Sequence, residues 1–181
     1  MTFAERLVEL HRALAEHDLP HAFGGAIALA YATADPRGTT DIDINVFVPV
    51  ERAGEALAAL PRGVEQPAGT AERVARDGQI RLWWEDTAVD LFFDYAPVHA
   101  AAAAHRRIVP FAGIEIPVLG PVELAVFKIM FDRFRDWGDI EEMAKSGTLD
   151  VEAVRKALAP MLAADDHRFD RLDEVVRRTS G

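Results

Sequence analysis

Apolar positions along the chain recur with two different periods. Leu7, Leu10 and Leu14, with Val8 beside them, form a stripe at helical spacing. Thr2 and Glu5 ahead of the stripe make a capping-box pattern. A helix is therefore predicted over about residues 3–17, ended by His17-Asp18-Leu19-Pro20. His21 to Phe23 reads as a short strand leading into Gly24-Gly25, and Ala26 to Ala32 as a helix. Ala34-Asp35-Pro36-Arg37-Gly38 is a loop. Residues 41–48 alternate as a strand, and 51–60 read as a helix. The stretch 61–78 carries no assignable period. Gln79 to Trp84 and Thr87 to Tyr95 read as strands joined by a tight Glu85-Asp86 turn. Val98 to Arg106 is a predicted helix, and Ile108–Phe111 with Ile114–Val118 a second hairpin across Ala112-Gly113. Pro121 then suits the first position of a helix, and helices continue to the end. Gly147 stops one of them and Asp150 caps the next. The pattern predicts an α/β (α+β) fold. A mixed β-sheet with flanking helices covers residues 1–119, and a helical segment covers 120–181.

Composition narrows the function classes. The 181 residues are 50% hydrophobic, an ordinary globular balance with length enough for a sizeable core. No apolar run reaches transmembrane length, and the N-terminal segment is charged throughout, unlike a signal peptide. No membrane association is expected. Cysteine is absent, so disulfides and thiolate metal sites are excluded and a cytoplasmic setting is expected. The formal net charge of −10 argues against a general nucleic-acid binder, although a local basic groove stays compatible with it. Small basic groups at Arg73, Arg76 and Arg81, at Arg106 and Arg107, and at Arg177 and Arg178 read as scattered solvated charge. The six histidines show no HxxxH or HExxH spacing, so no zinc site is proposed.

The chemistry concentrates in the strand at 41–48. Residues two apart share a face, so Asp41, Asp43 and Asn45 lie together opposite the apolar set Ile42, Ile44, Val46 and Val48. Neighbouring carboxylates repel, and a hard divalent cation is the simplest compensation. A solvent-facing edge strand would use the same pair to discourage aggregation. Gly24-Gly25 lies upstream, at the junction of a strand and a helix start. Glycine lets backbone approach a ligand, and the free N–H groups of a helix start hold phosphate. Asp90 supplies a third carboxylate, flanked by Val89 and Leu91 in an apolar strand. Lys128 interrupts Ala125-Val-Phe-Lys-Ile-Met-Phe131, a run apolar nearly all round. It reads as a lysine reaching phosphate, as a snorkelling lysine, or as a partner of Asp132 four residues on. Arg135, Asp136 and Asp139 read equally as an intrahelical charge network.

Gly24-Gly25, Arg37-x-Thr39-x-Asp41-x-Asp43 and the later Asp90 together resemble the nucleotidyltransferase superfamily, of DNA polymerase beta-like fold. The resemblance covers about residues 20–95. It extends loosely over Pro121 to Leu158, where the segment looks like the helices of the minimal and AbiEii-like toxin branch. It implies that Asp41, Asp43 and Asp90 bind Mg²⁺ or Mn²⁺, with Asp90 helping to activate the acceptor hydroxyl. It implies that Gly24 and Gly25 hold an NTP, with Arg37, Thr39, Thr40, Lys128 and Asp136 on the nucleotide side and Lys128 also serving catalysis. The implied acceptor is tRNA, protein or a small molecule, with an antitoxin protein as a further partner. One departure stands out: the second small residue of the family's turn is often serine, and here it is Gly25. A DxD metal-dependent glycosyltransferase and a non-catalytic nucleotide-binding module are the alternative readings.

Overall fold

The computed structural model describes residues 1–94 and 96–179, so the predicted strand end at Tyr95 lies outside the described residues. Helix α1 (Phe3–Glu16) carries the predicted capping box, with Thr2 and Glu5 bonded reciprocally. Its leucine stripe Leu7, Leu10 and Leu14 is fully buried. Each such leucine contributes roughly 2 kcal/mol of apolar burial. The chain then forms β1 (His21–Phe23), α2 (Gly25–Thr33) and β2 (Asp41–Pro49).

The predicted helix at 51–60 is divided into a 3₁₀ turn, Val50–Arg52, and α3 (Ala53–Ala59). The unassigned stretch holds α4 (Thr70–Asp77), which begins after Gly69 with no side-chain cap. The rest follows the predicted order: β3 (Gln79–Trp84), β4 (Thr87–Asp94), α5 (Pro97–His105), β5 (Arg107–Phe111), β6 (Ile114–Val118), α6 (Pro121–Phe131), α7 (Phe134–Lys145), α8 (Val151–Leu158) and α9 (His167–Thr179). Asp150 caps α8 by accepting from the Ala153 N–H at 2.9 Å. Among the described residues no helix is long and apolar enough to cross a membrane.

The strands form a six-stranded mixed sheet in the order β3-β4-β2-β1-β6-β5. Strand β2 runs antiparallel to β1 and parallel to β4. The predicted inner face holds, with Ile42, Ile44 and Val46 fully buried and joined by Val89, Leu91 and Phe93 of β4. One hydrophobic cluster runs from Leu7 to Val175, so α6 to α9 share the core of the sheet. Helix α2 packs on β2 and against α6 and α7, which brings the later helices to the polar face of β2. At the far end of the β3–β4 hairpin, Arg6 of α1 bonds Glu85, Asp86 and Thr87, with 2.6 Å to Asp86. The Arg6 side chain is buried, so the hairpin turn is fastened to the first helix.

Candidate active site

Register decides which side chains meet. In the parallel β2–β4 ladder Asp43 stands beside Asp90, and in the β3–β4 hairpin Arg81 stands beside Asp90. Three strands therefore present Asp43, Asp90 and Arg81 in one row, with Asp41 two residues along β2. The Arg81 guanidinium forks onto Asp90 at 2.8 and 2.6 Å and reaches Asp41 at 3.4 Å. The fork, together with the Asp41 and Asp43 carboxylates, raises the Arg81 pKa further above its ordinary value against the opposing effect of burial. Asp43 has no such fork. Burial pushes its carboxyl up to about 6, and the Asp90 and Asp41 charges add to the rise, while Lys128 and Arg135 oppose it.

The glycine turn lies against this row. The Gly24 N–H donates to the Asp43 carbonyl at 2.9 Å, which fixes the start of α2 to β2. Gly25 has φ +50°, and a Cβ there would sit 1.8 Å from Asp43 Oδ2. This accounts for glycine at a place where the resembling family often has serine: the carboxylate already occupies the side chain's space. The first N–H groups of α2 lack intrahelical acceptors, as at any helix start.

The loop before β2 acts on Asp41. Thr39 Oγ1 donates to the Asp41 carbonyl at 3.1 Å and accepts from its N–H at 3.2 Å. Thr40 Oγ1 donates to Asp41 Oδ1 at 3.2 Å. Thr39 thus fixes the Asp41 backbone and Thr40 its carboxylate. Arg37 reaches across to Asp139 of α7, at 2.6 and 2.9 Å.

Lys128 is buried, and its ion partner is Asp139, with Asp136 at 3.8 Å. Of the three readings of Lys128, the pairing with Asp132 is not formed. Asp132 ends α6 with φ +54°, and its carboxylate accepts instead from Trp137 Nε1 at 2.6 Å and contacts His167 at 2.8 Å. Nor are Asp136 and Asp139 a surface network within one helix. Both are 1% exposed, and they join Lys128 of α6, Arg37 of the loop and Arg133 ahead of α7.

Three depressions meet at Asp43 and Arg135. A cleft of 480 Å³ contains Asp43 and Asp90 with Arg73, Arg81 and Arg133. A cleft of 520 Å³ contains Asp41 and Asp43 with Arg37, Thr39 and Thr40. A small hollow of 40 Å³ between them contains Gly25, Lys128 and Asp136. The structure therefore brings all the sequence-predicted residues round one place, with Thr39 and Thr40 acting through Asp41. Arg81, Arg133 and Arg135 were missed as site residues. Arg81 had a signal: a two-residue turn at Glu85-Asp86 sets Trp84 opposite Thr87 and hence Arg81 opposite Asp90. Arg133 and Arg135 had none, because only the reversal at Asp132 turns them back toward the sheet.

The donor set suits a hard cation. Asp41, Asp43 and Asp90 offer carboxylate oxygen, and Asp43, its pKa raised first by burial and then by the Asp90 and Asp41 charges, has two carboxylate neighbours. The cage is not closed, however. Among the described residues no group of three or more His, Cys, Asp or Glu side chains is gathered tightly enough to hold a metal ion. Arg81 occupies both oxygens of Asp90, so a cation there must share or displace that fork.

No protein-family model matches the sequence, and no curated protein sequence matches it. Solved structures do match the fold. The crystal structure of ANT(2")-Ia in complex with adenylyl-2"-tobramycin superimposes with a TM-score of 0.56 at 17% identity, covering 100% of each chain. A solution structure of ANT(2'')-Ia, an antibiotic-resistance factor, gives 0.51 at 15% identity, covering 98% of this chain and 90% of that one. An antigenic nucleotidyltransferase-like protein from Paracoccidioides brasiliensis gives 0.53 at 16% identity, covering 95% and 91%. At such identities the likeness is one of fold: the chain has a nucleotidyltransferase-type mixed sheet with flanking helices.

Proposed function

We propose that this protein is a metal-dependent nucleotidyltransferase that moves an NMP from an NTP onto a hydroxyl acceptor. The observation that carries this reading is the in-register placement of Asp43 and Asp90 on adjacent parallel strands, with Asp41 two residues along β2, against a glycine turn that opens α2. Asp41, Asp43 and Asp90 would hold Mg²⁺ or Mn²⁺. When bound, the ions would neutralise the triphosphate and make the acceptor hydroxyl more acidic.

The chain's own groups do the rest. The N–H groups at the start of α2 face the phosphates. Thr39 and Thr40 hold Asp41 in its orientation. Lys128, anchored by Asp139, sets positive charge beside the glycine turn. Asp90 lies in the 480 Å³ cleft, where it can accept the hydroxyl proton once Arg81 releases an oxygen. Most of the rate enhancement is then positioning and charge stabilisation.

The test is incubation with each labelled NTP, Mg²⁺ or Mn²⁺, and pools of tRNA, protein and small hydroxylated acceptors. Asp43→Ala is expected to lower transfer by several kcal/mol of transition-state stabilisation, roughly a thousandfold, with the fold intact. Full transfer by Asp43→Ala would refute the assignment. A toxin held by an antitoxin, as in the AbiEii-like branch, is the finer form of the proposal. The same pair of proteins tests it as growth arrest on expression.

A further inference from the structure

We infer that the acceptor is a phosphate-bearing nucleotide, free or at the end of a single strand, and that it lies in the cleft beside Asp90. The inference rests on the nucleotidyl-transfer reading of the carboxylates. The two large clefts share Asp43 and Arg135 but divide the other groups. Asp41 lies with the Thr39–Thr40 loop in one, and Asp90 lies in the other. The glycine turn and Lys128 border the hollow between them. An NTP held by the glycine turn and Asp41 leaves the Asp90 cleft for the acceptor.

That cleft is basic in a chain whose formal net charge is −10. Four arginines line it against three aspartates. Arg81 is neutralised by Asp90 and Arg133 by Asp136. The side chains of Arg73 and Arg135 are exposed and make no hydrogen bond or ion pair among the described residues. Two cations are thus available at the rim, and a bound metal would remove the effect of the aspartates. A polycation would be repelled there, and a phosphate would be attracted.

The cleft also offers a ring surface. Phe92 and Phe131 lie 5.6 Å apart in a tilted pair, with the Arg133 guanidinium 4.8 Å above the Phe131 ring. Phe131 is 37% exposed on the cleft side. Aromatic and guanidinium faces beside free arginines are what a base and its phosphate need.

The experiment measures binding apart from turnover. A non-hydrolysable NTP analogue with Mg²⁺ is first bound to the wild-type chain; failure here counts against the nucleotidyl-transfer reading itself. With that complex formed, a fluorescein-labelled single-stranded hexaribonucleotide, a nucleoside 5′-monophosphate, tobramycin and a hexaglutamate peptide are titrated in turn. Binding of the hexaribonucleotide or the monophosphate is expected, and the better of the two identifies the source. Arg73→Glu is expected to weaken it at least tenfold and to lower the salt slope by about one. Phe131→Ala is expected to weaken it as well. Tighter binding of tobramycin or hexaglutamate, or unchanged nucleotide binding by both variants, would overturn the inference. So would loss of the NTP analogue in Arg73→Glu, because the donor would then occupy this cleft.

Discussion

At the scale of single residues, the site depends on what fills the space round Asp43. Gly25 has left-handed backbone and no room for a side chain. Gly25→Ala is therefore expected to cost about 1–2 kcal/mol of stability for the backbone alone. It should also lower transfer sharply, because the new methyl group must move the Asp43 carboxylate; thermal melts and the transfer assay separate the two effects. His21 offers a second residue-scale test. It is buried, and its pKa is pushed down to about 4, chiefly by burial, with His11 and Arg106 also acting to lower it and the Leu19 carbonyl opposing them. His21 Nδ1 donates to the Leu19 carbonyl, so Nε2 accepts from His11 Nδ1 at 2.9 Å. Between the ordinary histidine value and about pH 4 the unfolded chain binds a proton that the folded chain refuses. Stability is thus fully present above about pH 6.5 and falls as pH drops toward 4, by on the order of 3 kcal/mol. Urea titrations across that range should show the loss in wild type and a flatter profile in His21→Gln.

At the scale of elements, legibility followed periodicity. Strand β2 could be read because Ile42, Ile44, Val46 and Val48 alternate with Asp41, Asp43 and Asn45, and burial follows that alternation almost residue for residue. Helix α4 could not, since only Thr70 and Val74 of its residues are buried and no polar side chain caps it. The partner of Lys128 was hidden for a different reason. A helix continued past Phe131 would bring Asp132 beneath the lysine, but the left-handed Asp132 ends α6 and starts a return path. The buried pair with Asp139 belongs to two helices and is a tertiary fact. Removing one member leaves buried charge uncompensated, so Lys128→Ala is expected to cost about 3–5 kcal/mol in urea unfolding. Its effect on nucleotide binding should be read only at denaturant-free, fully folded concentrations.

At the scale of the whole molecule, the site is assembled from distant parts of the chain. Carboxylates come from β2 and β4, the glycine turn from the β1–α2 junction, and the cations from β3, α6 and the entry to α7. The sequence alone could mark the carboxylates and the turn, because each is a local motif. It could not show that helices after residue 120 would close over them, because that depends on the shared core from Leu7 to Val175. The same interdependence reaches α1. Arg6 fastens the turn of the hairpin whose strands carry Arg81 and Asp90, bonding Thr87 next to the Ala88 that pairs with Asp41. Arg6→Ala is expected to raise amide exchange along β3 and β4 and to lower transfer, although Arg6 touches none of Asp41, Asp43 and Asp90. A survey that ranks substitutions by lost activity would then place Arg6 among the catalytic residues. An assay of hairpin exchange would show that its contribution is mechanical, delivered through a ribbon two strands wide.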